Sequence, residues 1–289
     1  MGSGIWTSAA FADYSISRGR EYDVKTSYVT GQTYDAKRLD ESLDPKRFTI
    51  RECINSEEHP NTIPVILALD VTGSMGSACA ETAAALGKIM NTLLEKYEDI
   101  EFCIMGIGDL AYDRAPIQMS QFESDVRIAE CLDKVYMEHG GGGNAYESYT
   151  AAWYMGLKHT KLDCFDKQGR KGIIITMGDE PLNPYLPVRA LNEATNGKEQ
   201  GNVETSSLYE EASKKFNIFH IAIDDHGCAY AHYKKDIEDT WGELLGQRFK
   251  VSSINELSKT IEDCISDSID ASSVVASTQL LNENGEITW

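Results

Sequence analysis

Apolar runs along the chain repeatedly end in a carboxylate. Residues 65–69 run into Asp70, 102–108 into Asp109, 173–177 through Gly178 into Asp179, and 218–223 into Asp224. Runs of this length without polar alternation predict strands covered on both faces. Between them the spacing changes to a helical one. Leu86, Ile89, Met90, Leu93, Leu94 and Tyr97 recur at i, i+3, i+4, i+7, i+8 and i+11, one face of an amphipathic helix. Further helices are predicted over 126–136, 147–158, 206–215 and 237–245. A last one starts at Ser253-Ile254-Asn255-Glu256, a capping-box pattern, and carries Leu257, Ile261, Cys264 and Ile265 on one face. Residues 249–252 read as a short final strand and 116–119 as an added edge strand.

This alternation predicts an α/β domain over 62–270, with a doubly wound, mostly parallel central sheet flanked by helices. The four carboxylates would then share the rim outside the carboxyl ends of the strands, where open α/β sheets bind ligands. Residues 1–61 read as an irregular extension wrapping the core, with a strand only at 47–53. Residues 271–289 read as a tail with a strand at 274–281, and 183–204, which lack periodicity, as a long loop. There is no internal repeat.

A chain of 289 residues can bury a full core. Its formal charge of −19 argues against surfaces for nucleic-acid phosphates or anionic lipid, both of which need clustered Lys and Arg. The same charge favours cations and basic partner surfaces. The seven cysteines are odd in number and scattered, without a C-x-x-C pair, as expected of reduced thiols in a cytoplasmic protein. No secretory signal is legible, and no apolar run approaches the ~20 residues of a membrane span.

The densest candidate chemistry is Asp70-Val71-Thr72-Gly73-Ser74-Met75. Asp70, Thr72 and Ser74 place three oxygen side chains at alternate positions on a turn between a buried strand and a helix. Such a set suits Mg2+, which takes six oxygens and keeps several waters. The plain alternative is a capped helix start. Asp179 follows another strand on the same rim, with Glu180 as its alternative, while Asp109 and Asp224 read as strand terminators. The glycines at 140–143 lack the Gly-Lys-Ser/Thr ending of a phosphate loop and read as allowing close backbone approach. Asp224, Asp225, His226, Cys228 and His232 match no zinc spacing. Tyr146, Tyr149, Trp153 and Tyr154 read as packing residues, and no Ser-His-Asp or Cys-His arrangement follows from order and spacing.

The Asp-x-Thr-x-Ser turn, the glycine run and Gly178-Asp179 together resemble the von Willebrand factor A domain over residues 62–269. The resemblance implies a metal-ion-dependent adhesion site drawn from three loops. Asp70, Thr72 and Ser74 match the first. Asp179 stands for the third-loop aspartate, although Thr176-Met177-Gly178-Asp179 alters the usual Thr-Asp-Gly. The second loop lacks its usual threonine, leaving Asn144 or Glu147, with Ser148, as alternatives. The implied ligand is Mg2+ (or Mn2+ or Ca2+), completed by the carboxylate of a protein partner without catalysis. Intracellular members act in assemblies, some with AAA-type ATPases, and the branch implied is of bacterial or phage type. A competing resemblance joins the same turn to haloacid-dehalogenase phosphohydrolases, with Asp70 as nucleophile assisted by Mg2+. Thr72 stands where that chemistry wants a second acid, and Pro184 where its later motif wants another. A third reading is a structural subunit with a vestigial metal site.

Overall fold

The structure is a computed structural model that describes residues 4–31, 36–138 and 146–283, the side chains of Ser74 and 271–283 excepted. The N-terminal segment is not irregular. It forms α1 (Ser8–Ser17) and a hairpin of β1 (Glu21–Asp23) and β2 (Tyr28–Thr30), followed by β3 (Arg51–Cys53). The anchors of this wrap are Trp6, Phe11 and Val29, buried in the main core at spacings with no single period.

The core proper opens with β4 (Ile63–Asp70), which runs through a 3-10 turn at Gly73–Met75 into α2 (Gly76–Leu94). Then come β5 (Ile100–Ile107), β6 (Ile117–Met119), α3 (Arg127–Lys134), α4 (Ala151–His159), β7 (Thr160–Leu162), α5 (Asp163–Asp166) and β8 (Gly172–Gly178). The segment expected to be a long loop holds β9 (Tyr185–Leu186), α6 (Val188–Thr195) and β10 (Val203–Glu204), with β9 and β10 paired antiparallel. A two-turn helix is too short to show a period, so Leu191 and Thr195, its buried face, gave no signal. The chain ends with α7 (Thr205–Lys215), β11 (Phe216–Ile223), α8 (Tyr230–Leu245), β12 (Phe249–Ser252) and α9 (Leu257–Glu283). The strand expected at 274–281 is therefore helix. Its Val and Leu residues extend a helix already nucleated, and each added residue then costs no new nucleus. Ser253 makes no side-chain cap. Instead the Ile254 N–H donates to Asp225 Oδ2 at 3.1 Å.

Six strands form one mostly parallel sheet in the order β12-β11-β8-β4-β5-β6, with β6 antiparallel to β5. Side chains alternate across it. Val65, Leu67 and Leu69 of β4 join α2, α3 and α9 on one face. Ile66 and Ala68 join α4, α7 and α8 on the other. From β4 the chain passes outward to β5 and β6 on one side and returns to β8 and β11 on the other. Asp70 and Asp179 flank that point of reversal. All seven cysteines are buried and free of disulfides. Among the described residues no helix is long and apolar enough to cross a membrane.

Candidate functional site

The site starts from the end of β4. The buried Asp70 carboxylate accepts from Thr72 twice at Oδ1, from the backbone N–H at 2.8 Å and from the hydroxyl at 2.6 Å. These bonds close the turn that feeds α2. At Oδ2 it accepts from the Tyr149 hydroxyl at 2.7 Å. That phenol also accepts the N–H of Asp179, at 3.3 Å, from the end of β8. Gly178 allows the approach: a Cβ there would lie 2.2 Å from the phenolic oxygen. Asp179 in turn accepts from the Ala229 N–H at Oδ2, 2.6 Å, which ties in the loop after β11.

Further carboxylates line the same rim. Glu147, only 5% exposed, has an Oε2 with no hydrogen-bond partner, and so has Asp109 Oδ2 at 3% exposure. Glu180 Oε2 is likewise buried and unpartnered. Ser148 pins this segment to the loop after β5, its N–H donating to Gly108 O and its Oγ accepting from the Leu110 N–H. Asp113 accepts the Asp109 N–H at 2.7 Å.

Burial and mutual repulsion dominate the electrostatics. Burial pushes the Glu147 carboxyl far above the usual range, with Asp70, Glu180, Asp113 and Asp109 adding to it. Asp70 is raised by burial and then by Asp179, against the lowering effect of its Thr72 and Tyr149 bonds. Glu180 is pushed up to about 8 by burial, Asp70, Asp179 and Asp109, and Asp113 to about 6, chiefly by burial. Burial and the surrounding acids hold the proton on Tyr149, so it donates to Asp70 throughout the ordinary pH range. A buried carboxylate without a partner is costly, and it relieves that cost by taking a proton or a cation.

The fold thus brings together Asp70, Thr72, Asp179 and Glu147 of the residues expected from sequence. Asn144 lies outside the described residues, as does the Ser74 side chain. Asp224 is exposed and stays a strand terminator, whereas Asp109, Asp113 and Glu180 belong to the acidic rim. Tyr149, expected only to pack, makes the central hydrogen bonds. Its helical spacing from Trp153 hid that role.

Two further expectations are corrected here. Among the described residues no group of three or more His, Cys, Asp or Glu side chains could hold a metal ion, so the expected metal-ion-dependent adhesion site is not seen among them. The physical reason lies in the turns: Asp70 faces Thr72 and Tyr149, and Asp179 faces the Ala229 N–H. Cavities of about 710 Å³ beside the β1–β2 hairpin and about 430 Å³ between α4 and α7 lie away from this rim.

No family model matches the chain, and no curated protein does. Among solved structures the chain is similar to the pilus adhesin SpaC from Lactobacillus rhamnosus GG. In its open conformation the identity is 10% and the TM-score 0.46, over 75% of this chain and 31% of that one. Another form gives 12% and 0.48, over 75% and 32%. The chain spans about a third of the length of these adhesins, and likeness at this level carries nothing about function. The expected membership of the von Willebrand factor A family is therefore corrected. No family model carries it, the two solved structures named above are described as pilus adhesins, and the sheet is a mixed one.

Proposed function

We propose that this chain is a cation-dependent protein-binding module. A divalent cation, Mg2+ before Mn2+ or Ca2+, would neutralise the acidic rim between β4 and β8 and offer its remaining positions to a carboxylate of a protein partner. The observation that carries this is the Glu147 carboxyl, nine-tenths buried with an unpartnered oxygen among four other acids. Asp70, Thr72, Asp179 and Glu147 are the groups that would hold the ion, with Ser74 from the same turn. The ion supplies positive charge where the chain has gathered only negative charge, and octahedral Mg2+ keeps positions for outside oxygens. The rim lies where the strand order reverses, which supports the finer reading of the fold as doubly wound and the placing of a ligand there. Complete burial of Asp70, with both oxygens engaged, favours binding over nucleophilic phosphohydrolysis. Seven free, buried cysteines support a reducing compartment, the cytoplasm.

The test is capture of protein from extracts of the source cells by immobilised wild type and Asp70→Ala, each in Mg2+ and in chelator. A partner retained only by wild type in Mg2+ is expected. Equal retention in chelator contradicts the proposal.

A further inference from the structure

Exposed large aromatic residues are confined to one end of the molecule. Among the described residues they are Tyr112 at 59% exposure, Tyr146 at 42% and Tyr185 at 41%. All three stand on loops of the acidic rim. Tyr112 lies in the turn after β5, between Asp109 and Asp113, and Tyr146 directly precedes Glu147. Tyr185 opens β9, five residues after Glu180. Four tyrosines elsewhere are engaged inside the chain: Tyr14, Tyr28, Tyr154 and Tyr230 each donate to a carboxylate.

Hydrogen bonds between the loops hold the three rim tyrosines on one frame. The Ser148 N–H donates to Gly108 O at 3.2 Å and its Oγ accepts the Leu110 N–H at 3.0 Å, which ties the Tyr146 segment to that of Tyr112. Asn183 joins the third loop. Its Nδ2 donates to Thr150 Oγ1 at 2.7 Å and to Tyr185 O at 3.3 Å, and its Oδ1 accepts the Thr150 N–H at 3.2 Å. Within this frame the buried Glu147 Oε2 and Asp109 Oδ2 have no hydrogen-bond partner. Exposed tyrosines suit a docking face, because a rigid ring gives broad contact while few torsions are ordered on binding.

Charge decides what that face fits. Segments 70–75, 108–116, 146–150, 179–187 and 224–229 carry eight acids and a single Lys or Arg, Arg114. One divalent cation offsets only two of those charges. A second copy of this chain, at −19, is repelled, and so is a partner segment that is acidic throughout. Arginine is attracted to both parts of the surface, to the carboxylates by charge and to the tyrosine faces by cation–π stacking.

We infer that Tyr112, Tyr146 and Tyr185 form the partner-docking face of the rim, and that the partner segment it takes is a carboxylate flanked by arginines. The carboxylate meets the cation, and the guanidinium groups stack on the tyrosines. This rests on the cation reading above, and the test separates the two.

The probes are three fluorescently labelled synthetic peptides that share a central aspartate and carry arginine, alanine or glutamate flanks. Each is titrated by fluorescence polarisation with the purified full chain, in MgCl2 and in chelator. The proteins are wild type, Tyr112→Ser, Tyr146→Ser and Tyr185→Ser, with Ile16→Ser, at an exposed position of α1, as the control away from the rim. Calorimetry measures Mg2+ binding by each. In Mg2+ the arginine-flanked peptide should bind at least about tenfold more tightly than the others, and each tyrosine substitution should weaken it by about tenfold. Mg2+ binding should stay unchanged, and Ile16→Ser should behave as wild type. Equal affinity for the three peptides, a preference for glutamate flanks, or tyrosine variants that bind as wild type does overturns the inference while leaving the cation site standing. So does a wild type that binds Mg2+ and none of the peptides. Tyrosine-dependent arginine selectivity that persists in chelator removes the cation reading and keeps the docking face. Wild type that binds neither Mg2+ nor any peptide removes both.

Discussion

Replacing Glu147 by Gln should change how stability responds to pH, and the size of the change follows from where the carboxyl sits. In the folded chain its Oε2 is buried without a partner, and its proton affinity is raised by burial and then by Asp70, Glu180, Asp113 and Asp109. In the unfolded chain it titrates near 4.3. Above that pH the folded state holds a proton that the unfolded state has lost. Stability is therefore fully present below the unfolded value and falls as pH rises toward the folded one. Each pH unit in that window costs about 1.4 kcal/mol for one such proton, so Glu147 alone should remove about 2–3 kcal/mol between pH 6 and 8. Glutamine does not titrate. Its amide adds a constant cost or gain at every pH, so the slope is the diagnostic and the intercept is not. The assay is urea unfolding in chelator at half-unit steps from pH 5.5 to 8.5. Wild type should lose stability with pH more steeply than Glu147→Gln, with the residual slope of the variant coming from Asp70 and Glu180, which are raised in the same direction. Equal slopes would refute the reasoning, because they would mean that Glu147 is ionised in both states.

Two further predictions concern the frame around the site. Lys215 is buried and its Nζ donates to the carbonyls of Gly156 at 3.2 Å and Thr160 at 2.7 Å, closing the C-terminal end of α4. Lys215→Met keeps the volume but withdraws the donor, and should cost about 1–3 kcal/mol in urea unfolding. Asp133 on α3 accepts from Tyr14 and Arg20 of the N-terminal wrap and lies 3.6 Å from Arg18. Asp133→Asn should cost about 3 kcal/mol and loosen that wrap, read as faster proteolytic cleavage within residues 4–31 while the core stays intact.

The sheet was legible because its strands are buried on both faces and so appear as unbroken apolar runs, and α2 because nineteen residues show a period plainly. The shared acidic rim followed directly: parallel strands put Asp70, Asp109 and Asp179 on one edge. Residues 1–31 and 183–204 were not legible. Their elements are short and held by scattered anchors such as Trp6, Phe11 and Leu191, which leave no period. The turn after β4 shows a different limit. Sequence gives the spacing of Asp70 and Thr72 but not the direction of their hydrogen bonds, and here Thr72 turns inward to close the turn. Tyr149 was missed for a related reason. Its role depends on Gly178, twenty-nine residues away, having no side chain in its path. A motif of a few oxygen-bearing residues was also too little to carry a family.

The central claim is that the acidic rim takes a divalent cation, and direct titration of metal-stripped wild-type chain with MgCl2 at pH 8 tests it most directly. Saturable binding is predicted, with protons released into the buffer as the raised carboxyls give theirs up, and Asp70→Ala should abolish both signals. No saturable binding by the wild type, or binding that Asp70→Ala leaves unchanged, would contradict the account.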